Sequence, residues 1–238
     1  MSRQVIMMSK KNQLRNSVLV LAVLLILGFI GIGTYNENEK AYNSAWSPIM
    51  SVTSREDMFS LTVNVQNGEN LEELMRFAEL CADSGIPVCF FLSEKFYSLN
   101  GDRAKKLAAL HEVGLLVEKD TEYMSRGETL RFLANANEDF FENVGKYPRY
   151  VRSMREALGF LPHILDAYGQ YGIASVDPSA TVTNGTIIDV GKIDETTSAR
   201  VIALVTEAAK HGLEATPLRD MLYSVDIKPD AFGVQHGN

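Results

Sequence analysis

Cysteine is scarce in this 238-residue chain, with Cys81 and Cys89 alone. Two cysteines exclude a disulfide scaffold, and a Cys-x7-Cys pair without flanking histidines lacks the spacing of a zinc site. Both sit in apolar contexts and read as buried free thiols. Positive charge is also short. Against 30 Asp and Glu there are 23 Lys and Arg, a net charge of −7, which argues against a nucleic-acid partner. No Gly-x-Ser-x-Gly elbow, P-loop or Gly-x-Gly-x-x-Gly occurs in the sequence. The four histidines, His111, His163, His211 and His236, form no pair at metal-ligand spacing. Two read as helical, His211 as a helix C-terminal cation, and His236 falls in an unpatterned tail. What remains is ordinary globular composition, 46% hydrophobic and 22% charged, which excludes a disordered or fibrous chain.

One long apolar run stands apart. From Val18 to Gly33 no residue is charged; with its flanks the stretch reaches the length of a bilayer-spanning helix. Arg3, Lys10, Lys11 and Arg15 precede it, whereas Glu37, Glu39 and Lys40 follow. That asymmetry predicts a cytoplasmic N-terminus (1–16), a transmembrane anchor (17–35) and an extracytoplasmic remainder, at the cell membrane in single-pass topology. A cleavable signal peptide is the rival reading; its core is usually shorter, and only Gly31-Ile32-Gly33 resembles a cleavage site. Residues 36–56 read as a polar stalk. The rest divides into a domain at 57–225 and a tail at 226–238 without a usable pattern.

Within the domain, strands and helices alternate. Met58–Val65 alternates apolar and polar residues as a strand does, and Leu71–Ala82 carries apolar positions at helical spacing. Ile86–Leu92 suits a buried parallel strand. A helix over Arg103–Val113 and a strand at Leu115–Val117 follow. Ser125 and Glu128 form a capping-box pattern opening a helix to Val144. Tyr150-Val151 and Ile173–Val176 are strands about a helix near 157–171. Thr186–Val190 is a strand, Ser198–His211 a helix, Leu213–Ala215 a strand and Leu218–Tyr223 a short helix. Repeated β-α units predict a parallel sheet or barrel with function at the C-terminal strand ends.

Six short strings, in order, resemble the polysaccharide deacetylase family, carbohydrate esterases with a NodB-homology domain. Leu61-Thr62-Val63-Asn64 stands where the family has Thr-Phe-Asp-Asp-Gly, and Val88–Leu92 resembles its Ala-Thr-Phe-Phe strand. Tyr147–Arg152 is similar to Arg-Pro-x-x-x-Arg-Pro-Pro, and Ser175–Pro178 to Ser-x-Asp-Pro. Gly185–Ile188 resembles Gly-Ser-Ile-x, and Leu218–Leu222 the closing Leu-x-x-Leu-Leu turn. The resemblance covers roughly residues 57–223 and implies a distorted (β/α) barrel, here preceded by one transmembrane helix. It also implies metal-assisted removal of acetyl groups from a sugar polymer, with an Asp base, an Asp and two His on a divalent metal, and a distant His acid.

The chain departs from that pattern at each catalytic place. Asn64 holds the position of the base and cannot take a proton near neutral pH. The second Asp falls on Val65, or on Gln66 if the loop is one residue longer. The two metal histidines fall on Asp120 and Met124, the acid on Gly191, and its orienting Asp on Ala180. The resemblance therefore implies a pseudoenzyme without metal or cofactor. Its retained groove would bind cell-wall glycan or an envelope protein through Asn64, Gln66, Arg152, Asp177 and Asp189. An active deacetylase with an altered site (Asp120, Arg152 and Asp189) and a purely structural assembly partner are the alternatives. Glu118, Asp120 and Glu122 alternate and could bind a hard cation, although such a run is more simply a solvated loop. The anchor and the Asn67-Gly68-Glu69 turn resemble deacetylase-like proteins of spore-forming bacteria, which implies sporulation or envelope maturation.

Overall fold

Strand β2 (Met58–Val65) sits inside the sheet because both of its faces are buried. Phe59, Leu61, Val63 and Val65 enter the core under the helices, so Ser60, Thr62 and Asn64 point to the opposite, inner face. The structure is a computed structural model that describes residues 47–53, 56–155, 159, 161–176 and 182–237. β3 (Val88–Ser93), β4 (Glu112–Val117), β5 (Tyr150–Ser153) and β6 (Tyr171–Gly172) extend the sheet on one side of β2. β7 (Ile187–Asp189) lies on the other side, and β8 (Glu214–Ala215) pairs with the start of β2. Every pairing in this seven-stranded sheet is parallel, with order β6-β5-β4-β3-β2-β7. Parallel neighbours require crossovers, and here helices supply them. They are α1 (Leu71–Asp83), α2 (Glu94–Leu99), α3 (Gly101–Leu110), α4 (Arg126–Val144), α5 (Leu161–Ala167), α6 (Thr197–Lys210) and α7 (Leu218–Met221).

The sheet curls into a parallel half-barrel. Its outer edges meet at one parallel bridge, Val176 to Ile188, and a strand from each end of the described chain fills the seam. β1 (Ser51–Thr53) pairs in parallel with β9 (Val234–His236); Ile49 bridges Ile173, and Ser51 bridges Thr186. The backbone passes close here: a Cβ on Gly185, whose φ is +77°, would stand 1.7 Å from the Val52 carbonyl oxygen. The interior is equally tight at Gly114, where a Cβ would lie 2.8 Å from both the Phe91 ring and the Tyr150 carbonyl oxygen.

Several boundaries differ from the sequence reading, each for a local reason. The helix expected over Arg103–Val113 stops at Leu110, and β4 starts at Glu112, running through Gly114. Glycine there serves close packing rather than helix termination. His111 caps that helix; its Nε2 meets the Ala78 carbonyl at 2.8 Å and its ring lies 5.3 Å from that of Phe90. α2, capped by Ser93, is too short to show a period in the sequence. The strand expected at Ile173–Val176 is instead Tyr171–Gly172 followed by single bridges. Residues 51–53 of the stalk reading and 234–236 of the tail reading pair with each other as strands. The capping box is present: Ser125 Oγ accepts from the Glu128 N–H, and the Glu128 carboxylate accepts from the Ser125 N–H at 2.8 Å. Cys81 and Cys89 are free and buried; burial pushes the Cys81 thiol up to about 12 and Cys89 up as well. The proposed anchor at 17–35 lies outside the described residues, among which no helix is long and apolar enough to cross a membrane.

Candidate active site

Because the inner-face residues of adjacent parallel strands lie side by side, Asn64 on β2, Arg152 on β5 and Asp189 on β7 converge at the C-terminal ends of the sheet. Arg152 is 4% exposed. Its Nη1 donates to Asn64 Oδ1 at 3.0 Å, and Nη2 to Thr62 Oγ1 at 3.0 Å and to the Ala174 carbonyl at 3.4 Å. The guanidinium carbon sits 4.1 Å from the centre of the Phe91 ring, a cation–π contact. Asn64 Nδ2 donates in turn to Asp189 Oδ2 at 2.9 Å, and the Gly191 N–H to Asp189 Oδ1 at 2.9 Å. Asp189 Oδ2 is 3.9 Å from Arg152 Nη1, so the asparagine amide bridges cation and carboxylate with one hydrogen bond on each side. Burial lowers the Arg152 pKa to about 10, with Asp189 opposing the fall. Arg152 Nε, also buried, has no partner among the described contacts.

The other positions disperse. Val65 is buried under the helices in the outer core, so direct register takes the second metal position out of the site altogether. Gln66 stands at the mouth but donates to Glu118 Oε1 at 2.7 Å. Asp120 is exposed; its carboxylate accepts from the Glu122 N–H at 3.0 Å and takes no part in the Arg152 network. Asp120 thus stands apart from Arg152 and Asp189, the residues with which an altered hydrolase would need it grouped. Met124 closes a turn by donating its N–H to the Thr121 carbonyl. Asp177 and Ala180 lie outside the described residues. Gly191, at φ +79°, contributes a backbone N–H where the acid would stand. Thr62, Phe91 and Ala174 complete the cradle. Only the strand alternation could have pointed to Thr62 and Phe91, and nothing in the sequence marks Ala174.

Chains of solved structure share this architecture. A CE4 family pseudoenzyme from Bacillus anthracis matches at TM-score 0.64 and 19% identity, over 81% of this chain and 73% of that one. The fold is that of the family 4 carbohydrate esterases. A second member, a family 4 carbohydrate esterase from Bacillus anthracis, matches at TM-score 0.64 and 14% identity over 79% and 91%. A peptidoglycan N-acetylglucosamine deacetylase, solved with a hydroxamate-type benzamide, gives TM-score 0.62 and 14% identity over 74% and 93%. At these identities the likeness is one of fold. No family model matches the chain, and no curated protein sequence does either.

A family 4 esterase fold implies a divalent metal held by Asp and two His. The donors here do not fit one: an outward valine or a bonded glutamine, an exposed aspartate and a methionine stand in those places. No group of three His, Cys, Asp or Glu side chains among the described residues is arranged to hold an ion, the Glu118, Asp120 and Glu122 set included. Among the described residues, the arrangement offers hydrogen bonding and charge pairing around Arg152.

Proposed function

We propose that this chain is a membrane-tethered, extracytoplasmic and non-catalytic domain of family 4 esterase fold that binds cell-wall glycan or an envelope protein. The observation that carries the reading is Asn64. Where the fold's chemistry needs a base, an amide links Arg152 to Asp189 and closes the polar site on itself. A filled site of this kind preserves the packing of the barrel after the chemistry is gone, because the two rest on different residues. Peptidoglycan enters as the ligand class through the deacetylase of matching fold, and the membrane through the apolar run at 17–35. A part in sporulation or envelope maturation follows by the same resemblance.

A second reading, a structural assembly partner, draws support from apolar side chains left in solvent on the helices. Leu99 is 66% exposed beside a cavity of about 500 Å³ lined by Leu115, Phe132 and Ala136. To test the proposal, membranes carrying the full-length protein are washed at high salt and at alkaline pH, and the protein is then solubilised in detergent, mixed with purified peptidoglycan and assayed for bound metal. Retention in the membrane, co-sedimentation with the glycan and no stoichiometric transition metal are expected. A soluble form beginning near Thr34 would make the run a signal peptide. Failure to sediment with glycan would favour the assembly partner.

A further inference from the structure

We infer that a cavity at the opposite, N-terminal end of the strands binds an acidic saccharide. The inference rests on the glycan-binding reading above and moves it away from the closed site at Arg152. The cavity, of about 380 Å³, opens between the starts of β3, β4 and β5 and the segment before α7. Lys146, Arg149 and Arg219 line it, a concentration of positive charge in a chain of net charge −7. The one carboxylate in its wall, Glu112, is already spent. Its Oε1 accepts from the Tyr150 hydroxyl at 3.1 Å and the Arg219 N–H at 3.3 Å, and its Oε2 from the Leu218 N–H at 2.8 Å.

The cations keep capacity for an outside anion. Lys146 Nζ donates to the Ala108 carbonyl, and Arg149 lies 5.3 Å over the Tyr171 ring with a 3.4 Å bond to its hydroxyl. No carboxylate among the described residues is within ion-pair distance of either. Arg219 shares its charge with Asp220 at 3.5 Å. Between Lys146 and Arg149 in sequence stands Tyr147, 57% exposed and held flat. Its ring stacks on Phe141 with centroids 4.5 Å apart and planes 15° apart, and its hydroxyl donates to the Glu138 carboxylate at 3.1 Å. A pinned aromatic ring with a face left in solvent accepts the C–H face of a sugar ring. The cations lining the same cavity pair with a carboxylate or phosphate on the same saccharide. An anion alone would not need the ring, and a neutral glycan would not need the cations.

Titration calorimetry on the full-length chain in nonionic detergent tests this, with a hyaluronan octasaccharide as the acidic saccharide, a chitin hexamer as its neutral counterpart and a polyglutamate peptide as an acidic non-sugar. Hyaluronan should bind, more weakly as salt is raised, and at least about tenfold more tightly than chitin, the worth of one charge-assisted hydrogen bond. Tyr147→Ala and Arg149→Gln should each weaken it by roughly tenfold, with unchanged melting curves, while Lys210→Gln on the distant α6 should not. Equal binding of the chitin hexamer, binding of polyglutamate that ignores Tyr147→Ala, or hyaluronan binding indifferent to Arg149→Gln would overturn the assignment. Should glycan binding instead fall only in Asp189→Asn, this cavity is wrong while glycan recognition stands. If neither saccharide binds, the assignment fails, and co-sedimentation with peptidoglycan decides glycan recognition separately.

Discussion

At Arg152 the demands of burial and of charge meet in one side chain. A guanidinium 4% exposed is tolerable only because Thr62, Asn64, Ala174 and, at 3.9 Å, Asp189 surround it. Removing the carboxylate should therefore cost more than removing the cation. Asp189→Ala is expected to destabilise the domain by about 3 kcal/mol in urea unfolding, and Arg152→Met, which fills the same space without charge, by about 1 kcal/mol or less. The reverse order would mean that Arg152 is held by packing rather than by the ion pair. His111 supplies a pH test. Burial lowers its pKa from the usual value near 6.5 even though the Ala78 carbonyl favours the charged ring. The unfolded chain therefore binds the proton more readily. The His111 contribution is complete above pH of about 6.5 and is lost as pH falls through the folded value. Stability measured from pH 7 downward should decline with a component that His111→Gln removes; an unchanged slope would assign the decline to other groups.

Elements were legible in proportion to how many residues repeat the signal. The alternation in β2, the helical spacing of α1 and the Ser125–Glu128 capping box are each visible in the sequence and present in the fold. β1 and β9 were not, because three residues apiece cannot display a period, and their pairing joins segments some 180 residues apart in the chain. The seam they make depends on Gln235, a buried amide. Its side chain accepts from the Tyr223 N–H at 3.0 Å and donates to the Ser224 and Ile227 carbonyls at 3.2 and 2.8 Å. Gln235→Ala leaves those backbone groups unpaired and should cost about 2–3 kcal/mol by urea unfolding. A loss below about 0.5 kcal/mol, the size of an ordinary surface change, would show that the tail is not part of the domain's structure.

For the whole molecule, the order of the six strings carried the fold, and the residue types at the catalytic places are what the proposed loss of chemistry rests on. The sequence left the second metal position open between Val65 and Gln66. The facing of β2 was not legible there: the strand turns Val65 outward into the helix core. The positively lined cavity at the other end was invisible because its walls come from four separate stretches of chain. The central claim, that a family 4 esterase fold here carries no acetyl-removing chemistry, is tested most directly by acetate release. Full-length protein is incubated with chitin oligomers and peptidoglycan, with added zinc, cobalt or manganese. Acetate at the level of the protein-free control is expected under every condition. Metal-dependent release that Asp120→Ala abolishes would contradict the account and make Asp120 a working ligand.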